Sequence, residues 1–216
     1  MPPPDEALPA VDFDHLFTSR ALVGGDAAGT LQTAGGERVV GLPHDFTHAF
    51  RHVLQAEKAG AWPRALSRCG IAQGRKIAEA FDRDFTALGQ PALGELPLET
   101  CVALVERHIG AQGWGILKID LTDAATHGLV LARLEHSYFV ETLPHADHFT
   151  DALLAGLLQG FFEHVSGQQL ACAEIGCARR GSPHCTFVIA APEQLAAVTP
   201  LVGRSAADAI LAKLRG

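Results

Sequence analysis

The chain has 216 residues, a formal net charge of −7 at pH 7 and 48% hydrophobic residues. This composition excludes a chain that is disordered throughout, because it supplies enough apolar surface for a core. The negative charge argues against sequence-independent binding of nucleic acid or anionic lipid, since phosphates attract basic surfaces.

Membrane and export signals are also missing from the sequence. No apolar run approaches the roughly 20 residues that span a bilayer, and the first residues lack the pattern of a secretion signal. We therefore expect a cytoplasmic protein with no membrane span and no nucleic-acid partner. Its five cysteines are then expected to be reduced or to bind a metal, rather than to form a disulfide framework.

The first 37 residues differ from the rest of the chain. Prolines at 2–4 and 9 and glycine pairs at 24–25 and 35–36 interrupt a stretch that has no sustained periodicity. We predict a flexible N-terminal arm over residues 1–37, which is a candidate contact for a partner protein.

Apolar periodicity predicts the order of elements in the remaining chain. Helices are expected near 45–60, 63–88 with a break around Gly70 to Gly74, 99–109, 149–165 and 206–214. Strands are expected near 114–121, 128–134, 168–175 and 185–190. Because the strands come in pairs separated from the helices, we predict an α+β fold with a four-stranded antiparallel sheet packed with helices. The main domain is placed at 38–192, with a helical extension at 193–216.

The last predicted strand pair carries a group of metal-ligating residue types. Glu174 lies at the end of one strand, Cys177 in the turn and Cys185 at the start of the next strand. A hairpin brings these positions together, and two thiolates with a carboxylate form part of a tetrahedral zinc site. The alternative is that the cysteines are small buried residues that pack like alanine.

Several motifs resemble the 4-vinyl reductase domain family, which is related to aromatic-responsive sensor modules and to subunits of the transport-protein-particle complex. They are the final hairpin with the helix Asp151-Ala-Leu-Leu-Ala-Gly156, then Cys69-Gly70-Ile-Ala-Gln-Gly74, Gly113-Trp114-Gly115 and His136-Ser-Tyr-Phe-Val-Glu141. The resemblance covers about residues 38–190 and implies the same α+β fold.

In zinc-bearing members of that family, a cysteine that opens the long helix joins a glutamate and two cysteines of the hairpin. The resemblance therefore implies zinc at Asp151, Glu174, Cys177 and Cys185, with a carboxylate in place of the first cysteine. His148, Cys172 or His184 could take that fourth position, or the site could be empty.

The same resemblance implies an apolar ligand chamber. Trp114, His136, Tyr138 and Phe139 fall where sensor domains of this kind line such a chamber, with His136 or Tyr138 orienting a ligand among apolar walls. The alternative is that these side chains are ordinary core aromatics.

Three functions follow as hypotheses. The first is a non-enzymatic domain, expected to form a homodimer, that senses or carries a small hydrophobic or aromatic ligand. The second is a tetrapyrrole vinyl reductase, although the sequence has no recognisable motif for the cofactor that would supply hydride. The third is an accessory subunit of a cellulose or other exopolysaccharide synthesis complex, because residues 113–121 also resemble a Trp-Gly-x-x-Lys-x-Asp run in an accessory subunit of cellulose synthase.

Overall fold

The structure is a computed structural model that describes residues 17, 18, 20, 22, 23, 29–34, 36, 38–143 and 149–216. The chain divides into two units, residues 1–42 and 43–216. Most of the predicted arm lies outside the described residues, and so does His148.

The first unit contains a small antiparallel sheet where the sequence predicts an arm without regular structure. Its strands are β1 (Leu22–Val23), β2 (Leu31–Thr33) and β3 (Arg38–Val39), in the order β1-β2-β3. Strands of two or three residues are too short to produce a period of two, so the sequence pattern gives no sign of them.

The second unit contains the predicted helices and strands. The helices are α1 (His44–Glu57), α2 (Ala61–Ala87), α3 (Leu98–Ala111), α4 (Ala124–His127), α5 (Tyr138–Thr142), α6 (Ala152–Ser166), α7 (Pro192–Val198) and α8 (Ala207–Arg215). The strands are β4 (Ile116–Asp120), β5 (Val130–Glu135), β6 (Ala171–Gly176) and β7 (Cys185–Ala190). The sequence pattern does not predict the short helices α4, α5 and α7.

The four strands of this unit form one antiparallel sheet in the order β4-β5-β7-β6. This confirms the predicted α+β fold. Helices cover both faces of the sheet. On one face, Leu131 and Val188 belong to a core cluster with residues of α7 and α8, so the predicted C-terminal extension packs directly on the sheet. On the other face, Leu134 lies opposite Cys185 in the register and packs beneath α6.

Helices α2 and α6 pack against each other along glycines. A Cβ added at Gly70 or Gly74 would overlap the backbone of α6, and one added at Gly156 or Gly160 would overlap the backbone of α2. Glycine therefore allows the two backbones to touch. Because α6 packs directly on Gly70 and Gly74, α2 continues through both residues without the predicted break. The packing of the second helix compensates for the weak helix propensity of glycine.

Within the described part of the chain, no helix is long and apolar enough to cross a membrane.

Candidate functional site

A buried cluster of acidic groups lies where the β6–β7 hairpin meets the start of α6. The side-chain ligand atoms of Glu174, Cys177 and Cys185 all lie within 4.8 Å of one another. Two features of the hairpin bring these side chains together. The pairing of β6 with β7 shifts register between Glu174 and Gly176, and the chain turns at Gly181, which has a φ of 91°. Both cysteine sulfurs therefore lie close to the Glu174 carboxyl group. The structure thus brings together three of the four residues predicted to bind zinc.

Asp151, the fourth predicted ligand, adjoins this cluster as the residue before α6. Its backbone N–H donates to Glu174 Oε2 over 2.9 Å, and its Oδ1 accepts a 2.6 Å hydrogen bond from Ser137 Oγ. The other oxygen of each carboxyl group, Asp151 Oδ2 and Glu174 Oε1, is buried and has no hydrogen-bond partner among the described residues. Two buried carboxyl groups are therefore each held by one oxygen and left unsatisfied at the other.

Burial and mutual repulsion oppose ionisation of these groups. Burial raises the pKa of Asp151, and burial together with the charge of Asp151 raises the pKa of Glu174 well above its usual value. The Cys185 thiol acts as a hydrogen-bond donor and lowers the pKa of Cys177 to about 4, while the pKa of Cys185 itself is raised. Without a cation, the cluster is expected to hold one thiolate and keep protons on its other groups.

The donor set of the cluster fits a zinc ion. Two sulfurs and two carboxylate oxygens are ligand types that zinc accepts, and they supply the four protein ligands of a closed site. Ligand bonds of about 2.0–2.3 Å place tetrahedral donors roughly 3.3–3.8 Å apart. The ligand atoms of Glu174, Cys177 and Cys185, within 4.8 Å of one another, would move slightly closer to bind an ion, and Asp151, which lies outside this group of three, would move to join them. The Ala178 N–H donates to Cys185 Sγ, and Thr150 Oγ1 lies 3.5 Å from Cys177 Sγ, so each sulfur already has a polar neighbour.

A small apolar cavity lies beneath α6, on the side of Asp151 that faces the aromatic residues. Its volume is about 10 Å³, close to the space that a single water needs. The lining residues are Trp114, Leu134, Phe139, Asp151, Leu153, Leu154 and Leu157. At the place where the sequence predicts a ligand chamber, the structure therefore has a space that is almost filled by side chains.

The structure divides the four predicted chamber residues into two pairs. Trp114 and Phe139 line the cavity, and their ring centroids are 5.9 Å apart. Tyr138 stacks edge-on against both rings but turns its hydroxyl to Thr47 Oγ1, 3.1 Å away. His136 lies outside the cavity, with 71% of its side chain exposed and Nδ1 3.2 Å from Glu141 Oε1.

Sequence reasoning missed two residues that connect the cluster to helix α5. Ser137 is buried and caps α5 by accepting from the Val140 N–H, while it donates to Asp151. Arg179, in the turn between the two cysteines, donates to the backbone carbonyls of Val140 and Leu143. Ser137 lies inside a quoted motif and could have been noticed as a helix cap. The local sequence around Arg179 is typical of a solvated hairpin tip and shows nothing of its distant partners.

A second, larger opening lies at the edge strand β6. This solvent-open groove of about 640 Å³ lies between the starts of α2 and α6 and includes Arg64, Arg68, Phe149, Ala155 and Glu174 in its lining. Charged side chains at its rim and its wide contact with solvent distinguish the groove from the closed apolar cavity.

Comparisons with known proteins agree with this architecture. Residues 131–191, from β5 to the end of β7, match the family model of the vinyl-4-reductase domain, which confirms the predicted resemblance to 4-vinyl reductase domains. No curated protein matches the sequence significantly. The local similarity to a cellulose synthase accessory subunit has no support in these comparisons.

Two solved structures are similar in fold. The phenol-responsive sensory domain of the transcription activator PoxR, with phenol, has a TM-score of 0.64 at 18% identity, over 92% of this chain and 94% of that chain. A vinyl-4-reductase family protein from Methanocaldococcus jannaschii has a TM-score of 0.48 at 13% identity, over 70% of this chain and 82% of that chain. At 18% identity the likeness to the PoxR domain establishes the shared fold alone.

Proposed function

We propose that this chain, whose residues 131–191 match the vinyl-4-reductase domain, is a non-enzymatic module that binds a small aromatic or apolar compound as a sensor or carrier. We further propose a structural zinc ion at Asp151, Glu174, Cys177 and Cys185. The first proposal depends on the cavity beneath α6, and the second on the unsatisfied carboxylate oxygens beside the two thiols.

The cavity supplies the chemistry that an aromatic ligand requires. Its walls are apolar except for Asp151, so ligand burial would be favoured by roughly 25 cal/mol per Å² before entropy costs. An apolar cavity of about 150 Å³ is large enough for benzene, so the side chains around this one must move outward to admit a ring. The ligand-bound state is therefore a rearranged state in which Trp114 and Phe139 separate.

The fold comparison supports this proposal. The PoxR sensory domain, which has a similar fold over almost the whole chain, was solved with phenol. Phenol is consequently the first probe for this protein. The similarity to the vinyl-4-reductase family protein is too distant to favour a reductase activity.

Zinc would stabilise the protein as a structural ion. When bound, it would join the β6–β7 hairpin to the residue that precedes α6 and offset part of the negative charge of its four ligands. Around it, Ser137 would fix the orientation of Asp151, and the Asp151 N–H would fix Glu174.

Intrinsic fluorescence tests the ligand proposal directly. The chain has two tryptophans, and both Trp62 and Trp114 contact the ring of Phe139. Phenol binding in the cavity is expected to give a saturable change in tryptophan emission and a higher melting temperature. A panel of phenol, benzene, toluene and catechol that changes neither property would refute the proposal.

Two variants locate the bound phenol. Leu153→Phe adds volume at the cavity wall and is expected to weaken phenol binding about tenfold. Ala155→Leu adds volume in the open groove at β6 and is expected to leave phenol binding unchanged. The reverse pattern would move the ligand to the groove.

One observation favours a second function, that of an assembly subunit. Helix α1 exposes Phe46, Phe50 and Val53 on one side, each about half accessible, and such apolar stripes often mark protein contacts. If this surface joins two copies of the chain, light scattering will give twice the monomer mass, and Phe50→Ser will shift the protein toward monomer. Phe46→Ser should act in the same way.

A further inference from the structure

Helix α5 lies between the metal cluster and the aromatic cavity. It is a five-residue helix, Tyr138–Thr142, and it presents Phe139 to the cavity. Its outer side is held by α1, because Thr47 contacts the Tyr138 hydroxyl and His48 contacts the Thr142 carbonyl oxygen. Two further contacts, one at its start and one at its end, lead to the acidic cluster.

The first contact with the cluster is at the start of α5. Ser137 Oγ accepts from the Val140 N–H over 3.2 Å and donates to Asp151 Oδ1 over 2.6 Å. Both Ser137 and Asp151 are almost fully buried, with 3% and 1% exposed. A change in the position of the Asp151 carboxylate is therefore transmitted to the residue that caps the helix.

The second contact is at the end of α5. Arg179 donates to the carbonyl oxygens of Val140, within the last turn, and of Leu143, the residue that follows α5. Arg179 lies in the one-turn segment Ala178–Arg180, which directly follows Cys177 and whose last residue bonds back to the Cys177 carbonyl over 2.9 Å. The position of the Cys177 sulfur and that of the Arg179 guanidinium are thus set by the same short turn.

From these contacts we propose that zinc occupancy and aromatic-ligand binding are energetically coupled through α5, with Ser137 and Arg179 as the positioning residues. The inference rests on the proposed function, because it requires both the zinc site and the ligand cavity. A zinc ion that orders the cluster sets the position of both ends of α5, and α5 carries Phe139, which forms part of the cavity wall. Coupling of this kind is reciprocal, so zinc alters phenol affinity by the same factor as phenol alters zinc affinity.

The direction of the coupling follows from the geometry around Asp151. The cavity is almost filled, and Asp151 Oδ2 and Glu174 Oε1 are buried without a donor. Contraction of the cluster around an ion draws Asp151, and with it the start of α6, toward the hairpin and away from the cavity wall. Zinc is therefore expected to tighten phenol binding, by about fivefold or more.

The experiment measures phenol affinity by calorimetry on the full chain, once with zinc bound and once after its removal by a chelator. Zinc content is determined on each sample, and circular dichroism checks that the metal-free chain is folded. The measured quantity is the ratio of the phenol dissociation constant without zinc to the phenol dissociation constant with zinc. If the metal-free chain unfolds, zinc affinity is measured instead, by competition with a chromophoric chelator, with and without saturating phenol.

Two pairs of variants separate coupling through α5 from a general effect of folding. Arg179→Met removes both contacts to α5, and Arg179→Lys returns one donor. Arg180→Met is the matched control, because Arg180 lies on the same turn but contacts the Phe149 ring and the Gly203 carbonyl instead. Ser137→Ala removes the link to Asp151, and Ser137→Thr restores a hydroxyl.

We expect the ratio to fall toward one in Arg179→Met and Ser137→Ala, to recover partly in the two conservative variants, and to stay at the wild-type value in Arg180→Met. A wild-type ratio of one, with zinc and phenol both bound, overturns the coupling and leaves the proposed function intact. An unchanged ratio in Arg179→Met and Ser137→Ala also overturns it. Absence of zinc or of saturable phenol binding overturns the proposed function itself, and with it the coupling.

Discussion

The acidic cluster and the aromatic cavity both include or adjoin Asp151, yet they differ in how far the protein satisfies its own groups there. Around the cavity, apolar side chains such as Phe139 and Leu154 pack against one another and leave a cavity volume of about 10 Å³. In the cluster, Asp151 and Glu174 each keep a buried oxygen without a donor among the described residues. Apolar side chains can fill the space of a ligand by packing against one another. Two carboxylates cannot donate hydrogen bonds to each other, so their buried oxygens still need a donor or a cation.

This difference determines what each region says about its ligand. The cluster is a candidate cation site by its own geometry, because either a positive charge or bound protons would relieve the repulsion between its four buried acidic groups. The cavity points to an aromatic ligand only if the protein can open, since a close-packed interior resembles an ordinary core. Helix α6 supports both regions, so a change in its position should affect both at once.

The largest effect is expected from Gly156→Ala, which disturbs the support of both regions. The new Cβ would overlap the Ser67 carbonyl oxygen of α2, and a backbone cannot move aside as a side chain can. We expect the free energy of unfolding to fall by about 3 kcal/mol or more, measured by chemical denaturation. Gly110→Ala in α3 is the control, because its nearest atom is at 3.9 Å and alanine favours helix. Equal stability of the two variants would contradict the close helix contact.

The second prediction concerns a variant that enlarges the cavity and leaves the cluster unchanged. Leu154→Ala should reduce stability by about 2–5 kcal/mol, and phenol should restore part of the loss by filling the new space. Leu195→Ala, on the opposite face of the sheet, is the matched control because both leucines are 5% exposed. It should be destabilised similarly but not rescued by phenol, as thermal melts at increasing phenol concentration will show. Equal rescue of both variants would place the ligand elsewhere.

The third prediction concerns a variant that removes one ligand of the cluster and leaves the cavity unchanged. Cys185→Ala should lower the bound zinc from about one ion per chain to well below one, because a closed structural site needs four protein ligands. Elemental analysis after dialysis measures this content. Cys101→Ala is the control, since Cys101 is a buried thiol whose S–H donates to the Leu93 carbonyl outside the cluster. Unchanged zinc in Cys185→Ala would refute the site.

The smallest effect is expected at the far end of α6, in neither region. Burial raises the pKa of Glu163, but hydrogen bonds from Arg75, Gln159 and the Leu170 backbone outweigh it and hold the pKa below the usual 4.5. A lowered pKa stabilises the fold above pH 4.5, and this contribution is lost as the pH falls through the folded-state value. Glu163→Gln should therefore weaken the acid dependence of stability below about pH 5, by about 1 kcal/mol at most because Arg75 is exposed. An identical acid transition in variant and wild type would contradict this.

Most of the fold was accessible from the sequence because its long elements have clear periods. The apolar spacing in α6 and the paired strands β6 and β7 predicted the α+β arrangement within a few residues. Helices shorter than about two turns, such as α5, leave too few positions for a period to be recognised, and so do strands of two or three residues, such as those of the first unit. Of the residues predicted to bind a ligand, Trp114 and Phe139 line the cavity and His136 is mostly exposed, and their role in ligand binding stays a prediction.

The sequence by itself determined the residue types of the candidate zinc site, because Glu174, Cys177 and Cys185 lie on one hairpin whose local geometry brings them together. It also supplied the glycines of α2 and α6, although the pattern around those of α2 predicts a helix break and the contact that all of them allow is found only in the tertiary structure. The tertiary structure alone decided which partners Ser137 and Arg179 contact and how far the cavity is filled. Both depend on side chains distant in the chain, and no local pattern encodes how closely such side chains pack.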